Sequence, residues 1–255
     1  MRSLRVVFSA LLLGAMCAEP SAAQSGTEDI LARSIALYPT LASYADTGTV
    51  VREAPGIVDR WKFTTYFRKP LDFYFDFQGV TSQSGPGTPM DASYHRIVLW
   101  MIKGELQAFN QQMRMHETIP REGGNQVAVL QGARPATTGT STLIPALIFA
   151  QSNLSGTLHQ IQQATDAGFE TVSGRRCHKV VGVAGEYYPS GQMTNVRQVT
   201  VWIDTETRLV RKVFEDTPKD YPAGSYSRLT VTIEPQANPT LDDGKFGFTV
   251  PTLQQ

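Results

Sequence analysis

The 255-residue chain lacks the marks by which catalysis usually announces itself. It has no HExxH, no GxSxG elbow, no P-loop and no CxxC or CxxH knuckle. Its four histidines are scattered. Cysteine is scarce: Cys17 lies in a segment expected to be removed, which leaves Cys177 alone. No intramolecular disulfide is therefore expected, and the fold must stand on its core. Cys177 and His178 are neighbours, but adjacent strand residues point to opposite faces and cannot form a thiol–imidazole pair. Cys177 reads as a small buried hydrophobe. A surplus of either charge is missing too. Lys plus Arg and Asp plus Glu are both 23, and there is no basic run. That argues against nucleic acid as a partner. Asp204 with Glu206, and Asp242 with Asp243, sit in turn sequences and read as solvated turn formers, not cation ligands. No catalytic residue, metal ligand or cofactor is assigned.

The N-terminus holds the one long apolar run. Met1–Arg5 carries two arginines, Val6–Ala18 is apolar, and Ser21-Ala22-Ala23 supplies small residues before a cut. These features predict a secretory signal peptide over 1–23, cleaved after Ala23, and a periplasmic mature protein. Gly14-Ala15-Met16 fits a lipobox poorly, so lipid anchoring at Cys17 is not expected. No later run reaches membrane-spanning length. Residues 24–255 are long enough for one large β-rich domain, expected as a monomer.

The most informative stretch is Phe63–Phe77. Trp61, Phe63, Phe67, Leu71, Phe73, Phe75 and Phe77 share one parity; Lys62, Thr64, Arg68, Asp72 and Asp76 share the other. Side chains alternate across a strand, so one face is greasy and one wet, with Asp72 and Asp76 expected in solvent. Pro70 breaks the run, predicting strands 61–68 and 72–78. If parity carries through the join, Lys69 falls on the greasy side. The plain alternative is a turn lysine with its head in water.

A first helix is predicted over 28–44, capped by Thr27 and kinked or split at Pro39. Ile30, Leu31, Ile35, Tyr38, Leu41 and Ala42 form its apolar side. A strand at 49–53 follows, and 79–92 reads as a loop. Residues 94–101 and 105–110 read as a hairpin about Lys103-Gly104, which 111–114 extends or leaves; 117–139 reads as irregular. Ser141–Gln151 is a second, buried helix with Pro145 in its first turn. Residues 154–162 fit either a short helix or a strand. Strands are then expected at 168–172, 175–183, 195–203, 208–216, 225–234 and 246–249. Sequential strands pair antiparallel, so the class is α+β: a single large curved antiparallel sheet, an unclosed half-barrel, with helices covering the concave face.

The order of these elements resembles the LolA/LolB-like superfamily of periplasmic lipoprotein carriers, over nearly the whole mature chain. The matching pieces are Leu41-Ala42-Ser43-Tyr44, the run Tyr66–Phe73 through Arg68-Lys69-Pro70, the hairpin Ile97–Phe109 and the apolar helix Leu143–Phe149. The hairpin Val201–Leu209 and the closing Phe246-Gly247-Phe248-Thr249-Val250-Pro251 complete the match. The resemblance implies a hollow between sheet and helical lid that takes the acyl chains of a lipoprotein. It also implies a lid contact from the basic residue before the proline. That residue is arginine in the carriers and Lys69 here, without arginine's flat fork. Phe63, Phe67, Arg68, Lys69, Leu71, Phe73, Phe75, Trp100, Ile144 and Leu147 are the expected ligand-binding residues, with Lys69 placed near the second helix. The expected function is non-enzymatic binding of an apolar or acylated ligand, a lipoprotein acyl chain being one candidate, with a membrane protein as a further candidate partner. Two alternatives stand beside it: a regulatory or sensory module binding a protein partner, and a hydrolase without a recognisable motif.

Overall fold

A computed structural model describes residues 22–80, 95–102, 105–119, 143–149, 158–187, 193–219 and 221–251. Residues 1–21 of the expected signal peptide, most of the 79–92 loop, Lys103-Gly104, 120–139 and 154–157 lie outside these residues, as do the ends of the predicted second helix. Eleven strands form one antiparallel sheet: β1 (Ser43–Ala54), β2 (Ile57–Arg68), β3 (Asp72–Val80), β4 (His95–Ile102), β5 (Glu105–Asn110), β6 (Met115–Ile119), β7 (Gln162–Val172), β8 (Arg175–Tyr187), β9 (Met193–Asp204), β10 (Val210–Glu215) and β11 (Arg228–Ala237). Their spatial order is β6-β5-β4-β3-β2-β1-β11-β10-β9-β8-β7. Two meanders thus meet at a central β1–β11 seam, and β6 and β7 remain as edges, so the sheet is not closed. Two helices, α1 (Ala22–Leu37) and α2 (Leu143–Ile148), contribute to the core on its inner face.

The alternation of the aromatic stretch sets the register of β2 and β3. Phe63 stands opposite Phe77, Thr65 opposite Phe75 and Phe67 opposite Phe73. Every phenylalanine points to the inner face, and each is buried. Trp61 stacks on Phe77, and Phe75 on Phe77, with centroids 6.0 and 6.2 Å apart. Burying a ring of this size stabilises by roughly 1.5–3 kcal/mol. Two glycines make the room. A Cβ on Gly48 would lie 2.2 Å from the Phe63 ring, and one on Gly79 2.0 Å from the Trp61 ring.

The first helix ends earlier than expected. It stops at Leu37, a single 3₁₀ turn spans Tyr38–Thr40, and β1 already begins at Ser43. Pro39 is the second residue of the turn, and Leu41 is extended with ψ 137°. Tyr44, Asp46, Gly48 and Val50 then follow strand parity, so Asp46-Thr47-Gly48 lies inside the strand. The edge strand β7 begins at Gln162, not 168; bulges between Gln162 and Thr165 and between Asp166 and Phe169 erase its alternation. Gln111–Arg114 form a turn, and Met115–Ile119 return as β6. Residues 246–249 form no strand: Asp243–Phe246 make a 3₁₀ turn and 247–250 run unpaired.

That C-terminal segment crosses the outer face and changes what is wet there. Phe248 packs 5.1 Å from Trp100 and 5.4 Å from Phe109, centroid to centroid. Asp76, expected in solvent, is buried on this face: Arg96 Nη2 donates to it at 2.6 Å and the Tyr74 hydroxyl at 3.2 Å. Asp72 is half-buried against Arg68 for the same reason. On the other half of this face, Cys177 is buried with Val172 and Trp202, as a small hydrophobe should be.

Candidate functional site

The phenylalanines expected to line a hollow instead fill it. Phe63, Phe67, Phe73 and Phe75 are close-packed, with Phe149 beyond the end of α2 wedged edge-on 5.1 Å from Phe73 and 6.0 Å from Phe67. Leu71 is half-buried against the same cluster, and Ile144 and Leu147 of α2 belong to it. The remaining expected residues lie elsewhere. Trp100 faces outward, because β4 pairs Met101, Leu99 and Ile97 with the inward phenylalanines of β3 and leaves Trp100 opposite Tyr74. Arg68 also faces outward. It donates to Asp72, to Asp243 and to the carbonyl of Leu241, and its guanidinium stacks 4.9 Å over Phe246. Arg68 therefore straps the C-terminal segment to the sheet. Lys69 is exposed at the turn, with Nζ 3.3 Å from the carbonyl of Thr40. It meets the end of the first helical segment, not the second helix.

An open space lies to one side. A cavity of about 480 Å³ separates α1 from the start of β7. Leu31, Ile35, Ala36 and Pro39 form one wall; Leu158, Ile161 and Ala164 form the other, and Leu147 belongs to the lining. His159, Gln162 and Gln163 supply its polar groups. Among the described residues that line it, none carries a formal charge at neutral pH with histidine neutral. Burial lowers the pKa of His159, which favours the neutral ring. The β7 wall sits close because β8 has a glycine beneath it: a Cβ on Gly182 would lie 2.5 Å from Ile161. Gln163 takes a left-handed φ of 53° within the first bulge. Of the residues named from sequence, Leu147 alone lines this cavity. Leu31 and Ile35 were visible only as the apolar stripe of α1, a signature shared by any helix packed on a core.

α1 is seated on the sheet by polar contacts. The Ser34 hydroxyl donates to the carbonyl of Arg208 at 2.8 Å. Just past the helix, the N–H of Val210 donates to the Tyr38 hydroxyl oxygen at 3.0 Å. Beneath Tyr38 lies Asp46, buried on the inner face. Tyr44 donates to Oδ2 of Asp46 at 2.9 Å and the Thr65 N–H to Oδ1 at 3.0 Å. Burial pushes the Asp46 carboxyl up to about 7, and Thr65 and Tyr44 pull it only partly back. Burial likewise raises both tyrosines. Asp204 behaves in the opposite way. Burial alone would raise it, but the Thr207 N–H, Arg211 and the Glu206 N–H together hold it below the usual carboxylate range. Asp204 was expected as a solvated turn residue. It is buried because Arg211, itself buried, approaches Oδ2 to 2.6 Å.

No protein-family model and no curated protein matches the chain. Solved structures do. LprF from Mycobacterium bovis is 12% identical, with 88% of this chain and 98% of LprF covered, at a TM-score of 0.50. The MucA/MucB complex of Pseudomonas aeruginosa is 12% identical over 88% of this chain and 61% of that one, at 0.46. A LolA superfamily protein from Nitrosomonas europaea is 12% identical over 87% and 97%, at 0.31. Identities this low speak to fold alone. What the chain shares with LprF is the fold, an open antiparallel sheet with helices on one face.

Proposed function

We propose that the protein is a non-enzymatic binder of an apolar or acylated ligand, held in the cavity between α1 and β7. The observation that carries this reading is a cavity of about 480 Å³ walled by aliphatic side chains, with only amides and a neutral imidazole for polar contact. Concave, largely apolar spaces with a few polar groups are where small ligands bind. An acyl chain would exchange water for Leu31, Ile35, Leu158 and Ile161. Each Å² of apolar surface so buried is favourable by roughly 25 cal/mol. The phenylalanine slab is too densely packed to serve the same purpose. The leader-like N-terminus supports export to the periplasm, cleavage after Ala23 and a single domain over 24–255. A lipoprotein acyl chain as cargo and a membrane-protein donor or acceptor fit the same reading.

Titration with an uncharged fluorescent acyl ester tests it. Ala36 is exposed and lines the cavity, so Ala36→Trp fills the space without disturbing the core. Probe affinity is expected to fall at least roughly tenfold, a loss of about 1.4 kcal/mol, with an unchanged thermal melt. Unchanged affinity with an unchanged melt would place binding elsewhere or nowhere.

A further inference from the structure

The inner face of the sheet buries two aspartates: Asp59, paired with Arg52 at the far end of β1 and β2, and Asp46, beneath the end of α1. There Asp46 is buried with two donors, the Tyr44 hydroxyl and the Thr65 N–H, at 2.9 and 3.0 Å. Among the described residues, the groups packed around it from each side are few. β1 brings Tyr44 and β2 brings Thr65; β11 places Pro235 opposite; the turn after α1 brings Tyr38. The nearby cation, Arg211, is engaged with Asp204 and Glu234. Nothing among the described residues therefore neutralises an ionised Asp46 directly, and a lone buried carboxylate is costly. Tyr38 covers this site: it is fully buried, with its ring centroid 5.6 Å from that of Tyr44. Its neighbours Ile35, Ala36 and Pro39 line the cavity.

We propose that Asp46, Tyr44 and Tyr38 form a proton-operated latch on the first helix. With the Asp46 carboxyl protonated, the end of α1 stays seated; loss of that proton loosens it and opens the cavity between α1 and β7.

The direction follows from hydration. An ionised Asp46 is stabilised by any motion that lifts Tyr38 and admits water. The closed form has a carboxyl midpoint of about 7. The open, hydrated form should titrate near the ordinary value of roughly 4. The opening equilibrium should then rise roughly tenfold from pH 6 to pH 8. Release of cargo would be slow in an acidified compartment and faster at neutral or alkaline pH. For the cargo this rests on the binding function proposed above; for the latch it does not.

The test reads the latch and the cavity separately. The Val210 N–H is held by the Tyr38 hydroxyl, so its hydrogen-exchange protection, corrected for intrinsic rate, reports the seat of α1. Protection is expected to fall roughly tenfold from pH 6 to pH 8 and to become flat with pH in Asp46→Asn. If that variant folds poorly, Tyr44→Phe keeps the carboxyl but removes a donor, so the midpoint should move to higher pH. A merely structural tyrosine would leave the midpoint where it is. The release rate of the uncharged acyl ester should follow the same profile. A wild-type protection factor that ignores pH overturns the latch, as does a slope that survives in Asp46→Asn or a midpoint unmoved in Tyr44→Phe. A pH-dependent Val210 in a protein that takes up no ester at any pH leaves the latch standing and removes the ligand.

Discussion

Two buried carboxylates, Asp46 and Asp204, should give stability opposite pH slopes. Asp204 titrates below its ordinary range, so its contribution is present above about pH 4 and is lost as pH falls through its folded value. Removing its cation by Arg211→Met should cost about 3 kcal/mol at pH 7, read by urea melts. The loss should shrink in acid, where Asp204 is protonated. Asp46 titrates above its ordinary range, at about 7. The folded form binds its proton more tightly, so its contribution is full below about pH 4 and declines as pH rises to about 7. Asp46→Asn should remove a decline on the order of 4 kcal/mol between those limits. A wild-type slope of the other sign in that window would contradict the burial of Asp46. Lys69 should matter little: its amine is exposed beside the Thr40 carbonyl, and Lys69→Leu should cost about 0.5–1 kcal/mol. The two carboxylate roles were not legible beforehand, whereas a turn lysine with its head in water was one of the two readings of Lys69. Asp46 and Asp204 look like ordinary turn aspartates until strand register and a bulged Arg211 place them inside.

At the scale of elements, legibility followed alternation. β2 and β3 could be placed from Phe63–Phe77 because one face is uniformly aromatic, so a one-residue slip would expose every ring. β6 and β7 could not. β6 has polar residues on both faces, and two bulges in β7 break the period. The outer face misled for a different reason. The segment after β11 covers it, so Asp76 and Trp100 are buried where an uncovered sheet would leave them wet. Phe248→Ala should uncover Trp100 and cost about 2 kcal/mol, with a red shift in tryptophan emission as the check. Gly48→Ala tests the inner face. Its new Cβ meets both the Phe63 ring and the Thr232 carbonyl, and the second cannot swing away. A loss of about 2–3 kcal/mol is expected from thermal or urea unfolding.

At the scale of the whole molecule, the open antiparallel sheet was readable because its strands are sequential neighbours. The position of the cavity was not, since a packed interior and a hollow draw on the same residue types. The seam between the meanders has a further consequence, one of time. β1 is synthesised before every other strand of the sheet, yet one of its two neighbours is β11, so Tyr44 must wait for Ala237 and Glu53 for Arg228. Ribosomal synthesis therefore leaves the middle of the sheet unstitched until β11 has emerged, and the first meander carries an unfilled strand edge until then. Closure at so great a sequence separation makes for slow folding, on the order of milliseconds to seconds or longer. A chain cut before β11 does not lose a border strand. It is left with two ribbons that have nothing between them.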